Sequence, residues 1–221
     1  MMMRRTALFI CDLQTKTVDK LYYKIDILKN VNKLLYMKPY IPQFEKCVVS
    51  LFIPEKLGVL DKRVHHTEHI DKIVSKTTYS MMTKDVAEYV HSNKITDIIL
   101  SGMEIQWCIK RTVDDLRECN VNVHIPVDAI GNALSHKENK FNVKHLQHKN
   151  VQFGTTDSII CSYLNYHDDE ASKKYLHYIK KQEAQNPRFT SSSNRSVHYP
   201  TNTGRIEVVS PGTSNSGPSA Y

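Results

Sequence analysis

Long apolar runs are missing from this chain of 221 residues. Runs such as CVVSLFIP at 47–54 and IIL at 98–100 fall far short of the roughly 20 residues that span a bilayer, so no membrane helix is expected. Cysteine is scarce: the five residues at 11, 47, 108, 119 and 161 are odd in number and form no CxxC pair. That argues against a disulfide framework and a zinc ribbon, and it fits a reducing compartment. Glycine is also scarce, and no GxGxxG follows the first apolar run, which removes the dinucleotide-binding fingerprint. The start MMMRRTALFICDL lacks a small-residue cleavage site, and Cys11 and Asp12 interrupt its apolar stretch, so it reads as a first strand and not as a signal. It leaves no room for an amphipathic presequence. The expected compartment is the cytoplasm, with the mitochondrion as the alternative.

What remains is an ordinary globular composition, 40% apolar and 24% charged. A length of 221 residues suits one sizeable core. The net charge of +7 and pI near 9.0 would suit an acidic partner, yet the basic residues are interleaved with acids and read as a solvated surface. The densest basic cluster, KKYLHYIKK at 173–181, keeps weak nucleic-acid binding as a reading to test. Residues 1–185 form the expected domain. The segment 186–221 holds eight serines and four of the eight prolines, with few large apolar side chains, and is expected to be a disordered tail. Within it, IEVV at 206–209 is a candidate extra edge strand.

Along the chain, short continuous apolar runs alternate with segments of helical periodicity. TALFIC at 6–11, CVVSLF at 47–52, HIDKIVSK at 69–76, DIILSGM at 97–103, VNVHIPVDA at 121–129 and VQFGTT at 151–156 read as six strands. Ile25, Leu28, Val31, Leu34 and Leu35 mark a first helix that closes before Pro39. TKDVAEYVHSNK follows with Thr83 as its cap; Ile109, Val113 and Leu116 mark a helix beginning at or just before Cys108. SHKENKFNVKHLQ is capped by Ser135, and 158–185 is helical again with a break or kink at HDDE, 167–170. The alternation predicts an α/β fold of three layers, α/β/α, doubly wound, with a six-stranded parallel sheet in the order 3-2-1-4-5-6. In that order the winding reverses between the first and fourth strands, which opens a crevice at their carboxyl ends.

Asp12 follows the first strand, Lys76 ends the third and Cys108 follows the fourth, so all three converge on that crevice. Singly, each has a commoner use: an aspartate caps a turn, a lysine is solvated, a cysteine fills the core. Together they supply a base, a cation and a nucleophile. The unpaired N–H groups of a helix's first turn lower a cysteine pKa, so Cys108 is expected to be activated there. Asp12 would take the thiol proton and later return it to a leaving amine, while Lys76 would keep Asp12 ionised. Glu104 would oppose a thiolate if it points inward. The run HHTEH at 65–69 lacks the carboxylate spacing of a catalytic metal site and reads as solvated.

CDLQ at 11–14, KTTYSM at 76–81 and SGMEIQWCIKRTVDDL at 101–116, in this order, resemble the isochorismatase-like cysteine hydrolase superfamily, which includes nicotinamidases and N-carbamoylsarcosine amidases. The likeness is closer to the animal isochorismatase domain-containing subgroup, where a GxEAxxC pattern replaces the GxATDxC of nicotinamidases. It covers about residues 5 to 165 and leaves out the tail. The resemblance implies a catalytic triad of Asp12, Lys76 and Cys108 and a cis peptide between Met103 and Glu104. It also implies an oxyanion hole formed by the N–H groups of Glu104 and Cys108, and a homo-oligomer, at least a dimer. Nicotinamidases bind a metal through an aspartate and histidines after the second strand, but LFIPEKLGVLDKR at 51–63 has no DxH. Neither a metal nor a cofactor is expected. True isochorismatases split a vinyl ether without a cysteine nucleophile, so Cys108 argues for a different reaction. Phe9, Tyr79 and Trp107 are candidate pocket-wall residues, with packing against the sheet as the alternative for Trp107.

The leading expectation is a thiol-dependent hydrolase of a small amide, carbamoyl or ester-like molecule through an acyl-enzyme on Cys108. The alternative is a catalytically silent binding or scaffold protein on the same fold. Weak nucleic-acid binding is third.

Overall fold

A computed structural model of the chain describes residues 4–147, 151–164 and 169–185. Seven strands form one sheet: β1 (Thr6–Cys11), β2 (Phe44–Phe52), β3 (Lys72–Lys76), β4 (Asp97–Met103), β5 (Asn122–Pro126), β6 (Ile130–Gly131) and β7 (Val151–Gly154). The paired strands run parallel in the order β3-β2-β1-β4-β5-β7, and β6 pairs with the end of β4. Apart from the extra β6, this is the order expected from the sequence. β6 is only two residues long, too short to leave a periodic signal. β2 also begins three residues earlier than its apolar run, because Phe44 pairs with Thr6 beyond a register shift in β1.

The helices are α1 (Lys24–Met37), the single turn α2 (Pro54–Leu57), α3 (Lys84–Ser92), α4 (Lys110–Glu118), α5 (His136–Lys144), α6 (Thr156–Cys161) and α7 (Glu170–Gln185). Period-two alternation along the strands sends side chains to two separate cores. Leu8 and Ile10 of β1, Val49 and Leu51 of β2 and Ile99 of β4 pack with α1, α6 and α7. Ala7, Phe9 and Cys11 of β1, with Ile98 and Leu100 of β4, face α3, α4 and α5 on the other side. Parallel strands covered on both faces account for the near-continuous apolar runs.

Three local readings change. Ile25 is 74% exposed, and Ile27 takes the inward place on α1. Thr83 precedes α3 but makes no side-chain cap bond, whereas Ser135 forms a full capping box with Glu138. The expected helix from 158 to 185 is two helices, α6 and α7; residues 165–168, which include part of HDDE, lie outside the described residues. So does the segment 186–221 with IEVV. Among the described residues, no helix is long and apolar enough to cross a membrane.

Candidate active site

β1 carries Asp12 to the carboxyl end of the sheet and stops there because the backbone turns: Asp12 has φ 53°. Its N–H donates to the Ser50 carbonyl at 3.1 Å, and its Oδ1 accepts from Ser50 Oγ at 2.6 Å. Ser50 pairs with Cys11 across the β1–β2 ladder, so the neighbouring strand fixes the carboxylate. On the opposite side, β4 approaches so closely that a Cβ on Gly102, at φ 106°, would lie 2.1 Å from the Cys11 carbonyl oxygen. Only glycine fits both the backbone conformation and the space. The peptide that follows, Met103–Glu104, is cis.

Lys76 ends β3, and its side chain is fully buried. The ammonium donates to Asp12 Oδ2 at 2.7 Å, to the Tyr79 carbonyl at 2.9 Å and to the Thr78 carbonyl at 3.3 Å. It also lies 3.4 Å from Cys108 Sγ and 4.8 Å from the centre of the Phe52 ring. Burial works against its charge, but Asp12, then Cys108 and Cys11, outweigh it and push the Lys76 pKa up. The cation therefore stays charged and bridges the two groups on β1 and past β4.

Cys108 lies in a π-helical turn, Ile105–Ile109, which leads into α4. Its carbonyl accepts from Thr112 Oγ1 at 2.7 Å, and Thr112 Oγ1 accepts from the Met81 N–H at 2.9 Å, which ties this turn to the segment after Lys76. The expectation of a lowered thiol pKa is reversed. Burial first, then the charge of Asp12, pushes Cys108 up to about 12, although Lys76 pulls the other way. Cys108 is 5% exposed, and desolvation at that depth outweighs the pull of Lys76. Glu104 lines the same cleft; burial raises its pKa, opposed by the Gln106 side chain that donates to it at 2.8 Å and by the Ala133 N–H, while the charges that move the Cys108 thiol are those of Asp12 and Lys76.

Asp12, Glu104 and Cys108 line one cleft of about 280 Å³. Its walls are Phe52, Tyr79, Trp107, Leu57, Met103 and Thr17. The Tyr79 and Trp107 rings stack with centroids 5.4 Å apart, and Phe52 stacks on Tyr79 at 5.5 Å. Trp107 and Tyr79 are about half exposed, which places them at the mouth. Phe9 is fully buried between the sheet and the helices and does not line the cleft. Ser50 and Phe52 escaped the sequence reading. The one signal for Ser50 was a hydroxyl interrupting the apolar run CVVSLF. Gln14, quoted only as part of CDLQ, clamps the rim: its amide donates to the Gly58 carbonyl at 2.6 Å and accepts from the Phe52 N–H at 2.8 Å.

A doubly wound parallel sheet with a buried aspartate, lysine and cysteine at its point of reversal defines the class as an isochorismatase-like hydrolase fold. Residues 39–158 match the isochorismatase domain, and the chain belongs to that family. It is similar to isochorismatase family protein 2A of Dictyostelium discoideum, 29% identical over 188 residues, covering 80% of this chain and 92% of the relative. Isochorismatase domain-containing protein 2 of Danio rerio is 30% identical over 162 residues, covering 70% of this chain and 77% of that one. Among solved structures, the MAR1 ribonuclease of Caenorhabditis elegans superposes with a TM-score of 0.69 at 24% identity, covering 92% of this chain and all of that one. An isochorismatase-like hydrolase from Alkaliphilus metalliredigens gives 0.65 at 14%, over 73% and 99% of the two chains. At these identities the structural likeness is one of fold.

Proposed function

We propose that the protein is a thiol-dependent hydrolase of a small amide, carbamoyl or ester-like substrate, with C–N cleavage favoured. One observation carries the reading: Lys76 Nζ stands 2.7 Å from Asp12 and 3.4 Å from Cys108 Sγ, and both of those partners line one cleft of about 280 Å³. A thiol pushed up to about 12 is protonated at neutral pH, so attack has to be coupled to proton loss. As Sγ bonds to the substrate carbonyl carbon, its proton passes to the Asp12 carboxylate and the carbonyl π pair moves onto oxygen. The N–H groups of Glu104 and Cys108 are the proposed donors to that oxyanion. Collapse breaks the C–N bond, and Asp12 gives its proton to the leaving nitrogen. Water then attacks the thioester with Asp12 as base, releasing the acid and returning the proton to Sγ. Lys76 holds the charge of Asp12 before transfer and that of sulfur during it.

Steady-state turnover on a panel of small amides, carbamoyl compounds and esters tests this, with intact-mass detection of an acyl adduct. Cys108→Ala is expected to abolish both adduct and turnover. Unchanged turnover in that variant would end the covalent mechanism, whereas saturable binding without turnover in the wild type would favour a silent binding protein. The same proposal takes the chain as a homo-oligomer in the cytoplasm, and light scattering on the purified protein tests the assembly.

A second reading, weak binding of nucleic acid, rests on the half-exposed stacked pair Tyr79 and Trp107, onto which a base would stack. The name ribonuclease carried by the Caenorhabditis elegans structure makes single-stranded RNA the probe to try. Binding that weakens steeply with salt and is lost in Trp107→Ala supports this reading; binding that ignores both removes it.

A further inference from the structure

The HHTEH run, read from sequence as solvated, is gathered by the fold into one small cluster. His66, Glu68 and His69 lie on a 3-10 turn, Thr67–His69, with His66 at its cap. The backbone of His66 is left-handed, φ 60°, where the chain enters the turn, and its imidazole stacks on that of His69 with ring planes 11° apart and centroids 6.3 Å apart. Glu68 reaches between them: its Oε1 is 3.6 Å from His66 Nδ1 and 3.6 Å from His69 Nε2.

These separations are close to those of a coordination shell. Metal–ligand bonds of about 2.0–2.1 Å in a tetrahedron set neighbouring ligand atoms roughly 3.4 Å apart. All three ligand atoms here lie within 4.8 Å of one another, and it is the one such group among the described residues. We propose that His66, Glu68 and His69 form a binding site for one divalent transition-metal ion of the zinc class, with water completing the shell. Two imidazoles and a carboxylate suit zinc, cobalt, nickel or copper, and not calcium or magnesium, which prefer all-oxygen shells.

Two features support the assignment. One of the ligands is held in place: Tyr36 of α1 packs against the His66 ring at 5.4 Å and 61°, and Tyr36 is itself held against Tyr178 at 4.8 Å. All three are also reachable, since the His66, His69 and Glu68 side chains are 33%, 29% and 65% exposed. The site is separate from the catalytic cleft. His66 lines a different cleft, beside α1 and α7, that shares no residue with the one around Cys108. An ion here would pin the turn that leads into β3, the strand that ends in Lys76.

The full-length protein, stripped with a chelator and dialysed, is titrated with Co2+ by visible absorbance, and Zn2+ is then added in competition. The expected result is one Co2+ per chain, with no thiolate charge-transfer band, displaced by Zn2+. Affinity falls by about tenfold or more in His66→Ala and in His69→Ala. Glu68→Gln, which alters only an exposed side chain, also weakens binding, and Zn2+ raises the melting temperature of the wild type more than that of any variant. A sulfur charge-transfer band, binding undiminished in all three variants, or no saturation by about 1 mM would each overturn the proposal.

Discussion

Asp12 acts on Cys108 in two opposed ways. Its charge and its hydrogen bond raise the thiol pKa, second only to burial, yet it is also the acceptor for the thiol proton in the proposed cycle. Asp12→Asn therefore lowers the pKa of Cys108 and increases its thiolate, by about tenfold for each unit of lowering. Alkylation of Cys108 by iodoacetamide at a fixed mildly alkaline pH should speed up while turnover falls by about 10²–10⁴-fold. Lys76→Met removes the one neighbour that lowers the thiol pKa, so alkylation should slow. It also leaves Asp12 as an unpaired buried charge, at a cost of about 3–5 kcal/mol in urea unfolding. If the two substitutions moved alkylation the same way, the electrostatic account of the site would fail. The positions of these three residues were legible because Asp12 and Lys76 stand at the ends of strand runs and Cys108 follows in the turn after the fourth, and the fold aligns strand ends. The direction of the thiol shift was not, because it depends on the depth of burial behind the Trp107 and Tyr79 walls, which no local pattern encodes.

Among elements, legibility followed length and patterning. β4, buried along its whole length, and α1, with its recurring apolar stripe, were evident; β6, with two residues, and α2, with four, were not. Caps turn on a single further residue. Ser135 and Thr83 both put a hydroxyl at the N-cap, but only Ser135 has a glutamate three residues on: it takes the Glu138 N–H at 3.3 Å while Glu138 returns to the Ser135 N–H at 3.2 Å, whereas Thr83 has Val86 at that place. Thr83 is extended before α3 without any side-chain bond to its first turn. Ser135→Ala should thus cost about 0.5–2 kcal/mol, and Thr83→Ala distinctly less. Urea midpoints of the two variants measure the difference, and equal losses would show that α5 does not depend on its cap.

At the scale of the whole molecule, the strand order was that of the commonest doubly wound sheet, to which the alternation of strands and helices pointed without the help of any single residue. What the sequence could not show is how many ionisable groups that sheet and its helices bury. Burial, the leading cause, lifts Cys47 and Cys108 from 9.0 to about 12 and raises Cys11 well above 9.0. Burial first, then the charge of Asp157, lifts Tyr178 from 10.0 to about 12, and burial followed by the hydrogen bond to Asp157 raises Tyr175 as well. In each case the folded chain keeps a proton that the unfolded chain has already lost. Stability is then fully present below the unfolded values, near pH 9, and falls as pH rises toward the folded ones near 12. Urea midpoints should stay level from about pH 6 to 8 and decline above about pH 9, by about 1.4 kcal/mol per pH unit for each such group. Cys47→Ala will lower the midpoint at neutral pH through lost packing, but its alkaline decline should be shallower than the wild type's by about one group's share. A wild-type curve that stays flat to about pH 11, or an identical slope in Cys47→Ala, would mean that these side chains titrate in the folded protein as they do in water.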